Sequence, residues 1–257
     1  MRIISYNVNG IRAAIKKGFL EWLQTNPADI ICLQEVKAHR TDIDIESIEA
    51  TGYKSYWFCA QKKGYSGVAI LTKIKPGNVV EGCKMEQSDF EGRVIRADFG
   101  DITLINAYFP SGTSGEIRQS YKYMWLEEFM DYLNTLRTER KKLIVCGDYN
   151  IAHKEIDIHN PVANKRTTGF LPEERAWFDK LLENDFIDSF RHLNKEPHQY
   201  SWWNVLRAST RLENKGWRID YINVSGNLKK NIIDVKIFPE IKHSDHCPVY
   251  LELKTGK

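Results

Sequence analysis

Along this chain, short apolar runs alternate with helical patterns, and the apolar runs repeatedly stop at polar residues. Arg2–Val8 and Asp29–Leu33 predict buried strands. Between them Ile11, Ile15, Phe19, Leu20 and Leu23 recur at helical spacing and predict an amphipathic helix over Ile11–Gln24. Ser66–Thr72, Arg93–Phe99 and Ile102–Tyr108 predict further strands. Thr113 and Glu116 stand at capping-box spacing. They precede a helix that places Trp125, Leu126, Phe129, Met130, Leu133 and Leu136 on one face. Leu143–Cys146 predicts a short buried strand running into Gly147-Asp148. Pro172-Glu173-Glu174 opens another helix, because proline suits the first turn and early acids oppose the helix dipole. Ile219–Val224 and Val249–Leu253 complete the strands.

No repeat, low-complexity tract or long polar linker interrupts this grammar, and the halves, roughly 1–110 and 111–257, share it. Several adjacent strands with short turns between Tyr53 and Tyr108 disfavour a parallel doubly wound sheet. The pattern predicts an α/β fold: two mixed β-sheets packed face to face, helices outside, in a single domain over 1–257.

Composition narrows this picture. With 257 residues, 42% of them hydrophobic, the chain can bury a large core. No stretch approaches the ~20 apolar residues of a membrane span. The run Met1-Arg2-Ile3-Ile4-Ser5 enters a strand directly and lacks the layout of a signal peptide. The five cysteines are widely spaced, and Cys32 and Cys146 sit in apolar runs. That pattern predicts reduced thiols in a cytoplasmic protein rather than a disulfide framework. A net charge of +3 permits nucleic-acid binding only through a local basic face.

The polar residues at strand ends carry the chemistry. Asn7 and Asn9 follow Ile3-Ile4, Glu35 follows Ile30–Leu33, and Tyr108 follows Leu104-Ile105. Asp148 and Asn150 follow Leu143–Cys146, Asp220 follows Ile219, and Asp245-His246 precede Val249–Leu251. Singly, each is an ordinary turn or surface feature. Strands sharing a sheet edge would bring them to one mouth. Gathered carboxylates repel and desolvate badly unless a hard cation joins them, and a histidine adds a group that titrates near neutral pH.

The full set is similar to one family. Asn7-Val8-Asn9-Gly10, Leu33-Gln34-Glu35, Asn106-Ala107-Tyr108-Phe109-Pro110, Gly147-Asp148-Tyr149-Asn150, Gly216-Trp217-Arg218-Ile219-Asp220-Tyr221 and Ser244-Asp245-His246-Cys247-Pro248 occur in order. They resemble the exodeoxyribonuclease III family of abasic-site endonucleases, within the endonuclease/exonuclease/phosphatase superfamily. The resemblance runs from residue 2 to about 253. Lys63–Val68, Ala152–Asp157 and Gly169–Arg175 resemble its repair branch.

The resemblance implies a four-layer α/β sandwich and a DNA-repair hydrolase that cuts 5′ to abasic sites. It also implies accompanying 3′–5′ exonuclease or 3′-phosphodiesterase activity. The implied cofactor is Mg2+, with Mn2+ able to substitute, as one ion or two. Its implied ligand set is Asn7, Glu35, Asp148, Asn150, Asp245 and His246, with Glu35 principal. The implied catalytic set is Tyr108, Asp148, Asn150, Asp220 and His246. Tyr108 would serve the scissile phosphate or leaving group, Asn150 the transition-state oxygens, and Asp220 the His246 imidazole. Asp148 and His246 both remain open as the base. The implied partner is double-stranded DNA with abasic or blocked 3′ sites, met by a monomer.

For DNA contact, Asn164, Lys165, Arg166 and Phe170 resemble the family's contacting loop, and Trp202 and Trp217 are expected to wall the sugar pocket. Trp203 is equally readable as core. Lys62-Lys63 and Arg207–Arg211 are readable as phosphate contacts or as solvated loops. Asn9 is an amide where some relatives carry a carboxylate, which weakens it as a ligand. A lipid phosphodiesterase on the same fold and a DNA-binding relative with a dead site are the rivals. The repair-like loops oppose the first, and the intact polar set opposes the second.

Overall fold

The computed structural model describes residues 1–204 and 209–255. Among the described residues the alternating runs become twelve strands in two six-stranded sheets. In chain order the strands are β1 (Arg2–Asn7), β2 (Ile30–Gln34), β3 (Lys54–Phe58), β4 (Val68–Thr72), β5 (Asn78–Glu81) and β6 (Val94–Phe99). They continue with β7 (Ile102–Tyr108), β8 (Lys142–Asp148), β9 (Phe186–Asp188), β10 (Asp220–Ser225), β11 (Ile232–Ile237) and β12 (Val249–Leu253). The first sheet has the order β11-β12-β1-β2-β4-β3 and the second β5-β6-β7-β8-β10-β9. Each sheet holds one parallel pair, β1 with β2 and β7 with β8, among antiparallel neighbours.

The central strands are apolar on both faces because both faces are covered. Between the sheets Ile3, Cys32, Ile70, Leu104, Ile144, Ile222 and Leu251 form one core. Outside the first sheet lie the helices α1 (Ile11–Ile15), α2 (Phe19–Thr25) and α3 (Ile45–Glu49), where Ile11, Phe19, Leu23 and Ile48 pack on Ile31 and Leu71. Further along the chain come α4 (Glu86–Phe90), α5 (Glu116–Glu139), α6 (Pro161–Asn164) and α7 (Pro172–Glu183), of which α5 and α7 cover the second sheet. Trp125, Phe129 and Leu133 of α5 meet Trp177 and Phe178 of α7 over Leu143 and Val145. This is the expected four-layer sandwich.

Two local expectations are corrected. The helix expected over Ile11–Gln24 is broken at Gly18, whose φ of 91° is left-handed, so it becomes α1 and α2. The Thr113–Glu116 capping box does not form. Gly115 is the N-cap of α5 and offers no side chain, while the Thr113 hydroxyl pairs with Ser111 Oγ.

Candidate active site

Parallel pairing brings strand ends to one edge. Asn7 stands opposite Gln34 in the first sheet, and Tyr108 opposite Asp148 in the second. Glu35 and Asn150, just past their strands, take left-handed φ values of 53° and 51° that turn the chain at the mouth. Gly147 has φ 148° and lies so close to β7 that a Cβ would sit 1.8 Å from the Ala107 carbonyl. Only glycine permits that approach beside Asp148. Across the sheets the Asn7 amide donates to Glu35 Oε2 at 3.0 Å and Asp148 Oδ2 at 2.8 Å. The Asn150 N–H donates to Asp148 Oδ1 at 2.8 Å.

The chain near Ser201 ties the C-terminal residues in. Trp202 and Trp217 exchange both backbone hydrogen bonds, and Cys247 N–H donates to the Ser201 carbonyl. Beside this seam, Ser201 Oγ donates to Asp220 Oδ2 at 2.7 Å, and the His246 Nδ1 lies 2.9 Å from the same oxygen. His246 Nε2 faces Asp148 Oδ2 at 3.8 Å. Asp245 accepts from Asn9 Nδ2 at 2.8 Å, from Trp202 Nε1 at 3.0 Å and from Ser244 Oγ at 3.1 Å.

These surroundings split the titratable groups. Burial pushes Asp148 up to about 7, with Asp220 adding to the rise and His246 opposing it. Burial would lower His246, but the Asp220 and Asp148 carboxylates outweigh it and raise His246 to about 10. Burial and the charges of Glu35 and Asp148 hold the Tyr108 phenol well above its ordinary pKa. Burial works against ionised Asp245, yet His246 and its three hydrogen bonds hold its pKa below the usual value.

The donor set fits a hard divalent cation. Glu35, Asp148, Asp245, Asn9 and Asn150 line one cleft of about 570 Å³ with oxygen-bearing side chains and no thiol. Asp148, Asp220 and His246 form the tightest group, with ligand atoms within 4.8 Å of one another. There the short Asp220–His246 hydrogen bond makes an acid–imidazole pair, and Glu35 and Asp245 are further carboxylates of the same cleft.

Asn7, expected as a ligand, is not among the residues lining the cleft. It is fully buried, gives its amide to two carboxylates and receives the Asn9 N–H on Oδ1 at 2.9 Å. Its amide thus links the Glu35 and Asp148 carboxylates across the two sheets. Phe170 departs from its expected place at the DNA. It is 1% exposed, packs with Ala152, Ile158 and Ile219, and lies under the Arg175 guanidinium. It supports the loop from beneath, because an aromatic ring is too costly to leave in water when a pocket is at hand.

Of the remaining DNA-facing set, Asn164, Trp202 and Trp217 line the cleft, and Lys165 and Arg166 are exposed beside it. The two tryptophan rings meet edge to face at 5.9 Å. Trp203 is core, 2% exposed. Lys62 and Lys63 are exposed. Arg207 lies outside the described residues. Arg211 stacks on Trp203 and donates to the Ser244, Pro239 and Ile241 carbonyls, a structural task rather than a phosphate contact.

The expected set omits Lys37, whose Nζ lies 2.6 Å from Asn9 Oδ1 and 3.0 Å from Glu35 Oε1. Its spacing of two from Glu35 was the available signal. Ser201, and the cleft-lining Asn204, Thr167 and Thr168, carry no motif that would mark them.

The model of the endonuclease/exonuclease/phosphatase family matches residues 4–246. The exodeoxyribonuclease of Bacillus subtilis (strain 168) is 44% identical over 253 residues, covering 98% of this chain and 98% of its own. The DNA repair nuclease APEX1 of Danio rerio is 43% identical over 257 residues, covering 98% of this chain and 82% of its own. A solved AP endonuclease from Archaeoglobus fulgidus superposes with a TM-score of 0.90 at 30% identity, covering 99% of this chain and 100% of that one.

Proposed function

The chain belongs to the endonuclease/exonuclease/phosphatase family and to its exodeoxyribonuclease branch, and from that premise we propose that it hydrolyses the phosphodiester 5′ to abasic sites in duplex DNA. The products are a 3′-hydroxyl and a 5′-deoxyribose phosphate. The same site serves 3′–5′ exonuclease and 3′-phosphodiesterase action at blocked ends. The chain works as a monomeric catalytic domain. It acts in the cytoplasm, where its five free cysteines suit a reducing medium. Among the described residues, no helix is long and apolar enough to cross a membrane.

One observation carries this reading: Asp148 stands between two amide donors on one side and the Asp220-held His246 on the other. With a pKa near 7, Asp148 is poised to accept a proton from the attacking water at physiological pH. His246, raised to about 10, keeps its proton and meets the phosphate as a cation. Tyr108 stays protonated and can donate to the phosphate or the departing 3′-oxygen. Asn150 supplies an amide to the non-bridging oxygens. Each such fixed donor is worth roughly 10²–10³ in rate. Glu35 and Asp245 would hold Mg2+, with Asn9 alongside. When bound, the ion supplies Lewis-acid polarisation and neutralises developing charge. Trp202 and Trp217 wall the space for an unstacked abasic sugar, and Lys165 and Arg166 offer charge to flanking phosphates.

The test is nicking of a duplex carrying one abasic analogue, with and without chelator. A metal-dependent cut on the 5′ side is expected. Metal-independent cutting, or none, would sink the proposal.

A further inference from the structure

The apolar face of α5 carries an anomaly. Stepping back from Phe129, Leu126 and Trp125 along the stripe leads to position 122, which is a lysine and is fully buried. Its Nζ donates to Glu174 Oε1 at 2.6 Å and to the Asn150 carbonyl at 2.8 Å. Glu174, on the first turn of α7, is fully buried as well. An ordinary capping glutamate accepts from one backbone N–H and faces water. Here Oε2 accepts from Gly169 N at 2.6 Å and Leu171 N at 3.0 Å, while Oε1 also receives Gln119 Nε2 at 3.2 Å. Thr168 Oγ1 donates to Gln119 Oε1 at 2.6 Å.

A buried ion pair is poor evidence for stability, because desolvating two charges offsets most of their attraction and apolar replacements are often as stable. This pair holds something else. Asn150 has its N–H on Asp148, its side-chain amide on the Phe109 carbonyl at 3.0 Å, and its own carbonyl on Lys122. The segment from Thr167 to Gly169 lines the cleft. It is held by Glu174 and Gln119, and the Gly169 carbonyl accepts the Ala152 N–H at 2.7 Å.

The geometry points to Lys122 and Glu174 as positioning residues that fix Asn150 on one side and the Thr167–Gly169 wall of the cleft on the other, at one spacing. The inference deepens the proposed phosphodiesterase and rests on that reading. Neither residue touches the substrate. Lys122 acts on the chemical step through Asn150. Gln119, reaching Thr168 from the same network, acts on binding through the wall.

The experiment uses the full chain on a duplex with one abasic analogue, well below each variant's Tm. Lys122→Met/Glu174→Gln removes both charges together and is expected to recover most of the Tm lost by Glu174→Gln alone. Its kcat is expected to stay about 10- to 100-fold down, the scale of a misplaced catalytic group, with KM changed less than about 3-fold. Gln119→Ala, at the half-exposed rim of the network, is expected to fold normally and raise KM by about 3- to 10-fold with kcat nearly unchanged. A double variant with recovered Tm and wild-type kcat overturns the assignment of the pair. If that variant does not recover its Tm, Gln119→Ala decides alone: an unchanged KM overturns the coupling to the wall. The unsubstituted chain is the control for the underlying reading. Failure to nick at all defeats the proposed activity, whereas normal nicking with unchanged variants defeats only the positioning role.

Discussion

The two parallel strand pairs occupy matching places in their sheets, and their ends do different work. β1 and β2 deliver Asn7 and Glu35; β7 and β8 deliver Tyr108 and Asp148. The Glu35 side chain keeps 16% exposure and an ammonium neighbour, Lys37. Asp148 keeps 1% and faces both the His246 imidazole and the Asp220 carboxylate. Asp148 ends its strand and Glu35 lies one residue past its own, so matching strand pairs set two carboxylates in different surroundings. Burial and neighbouring charge, not residue type, make that difference. The crossovers differ too: two short helices join β1 to β2, whereas the 24-residue α5 joins β7 to β8.

The comparison breaks most sharply at Asp148. Asp148→Asn keeps the shape but only one of the two amide contacts, because its new Nδ2 cannot accept a hydrogen bond, and it cannot take up a proton. Abasic-duplex cleavage should fall by about 10⁴ or more, the scale of losing a member of a catalytic unit, with binding retained. A gel-shift assay beside single-turnover nicking checks it, and a near-wild-type rate refutes the role. Glu35→Gln should cost about 10²–10³ in rate. Raising the Mg2+ concentration should restore part of that loss, as it should not for Asp148→Asn. Equal rescue of both would erase the distinction between the two pairs.

The pH profile sharpens it further. Asp148 acts when deprotonated, and its pKa is raised to about 7. Activity should therefore be lost as pH falls, with kcat/KM dropping about tenfold per unit below pH 7. His246 acts when protonated and is held up to about 10, so it should not limit the rate near neutrality. A profile flat from pH 5 to 8 contradicts this. At the first-sheet side, Trp202→Phe keeps a ring in the cleft and removes one donor from Asp245. The Mg2+ concentration for half-maximal activity should rise about 10-fold, as when an orienting partner of a metal ligand is lost. The smallest effect belongs to the crossover. Thr113→Ala should shift Tm by no more than about 1–2 °C in thermal unfolding, because Thr113 is exposed and caps no helix.

The strand ends could be read in the sequence because an apolar run with period two, or a fully buried one, stops where its cover stops. That placed Glu35, Asp148, Asp220 and Asp245-His246 at one edge. Periodicity does not report what a side chain meets across the fold. Asn7 reaches Asp148 over 141 positions, so its turn from the cleft toward the carboxylates was invisible. Phe170 lay in a polar loop and read as surface, although Arg175 roofs it. Lys122 broke its own stripe, a sign present in the sequence and passed over, because its acid partner lies 52 positions away.

The β1–β12 pairing sets Arg2 against Glu252, and the Asn9–Asp245 hydrogen bond spans 236 positions. During synthesis on the ribosome the first strand must wait for nearly the last. Domains of this size, dominated by such long-range pairings, close late. Glu35 and Asp148 then leave the ribosome long before His246, so the contacts of its imidazole with Asp148 and Asp220 form only when almost all of the chain has been made.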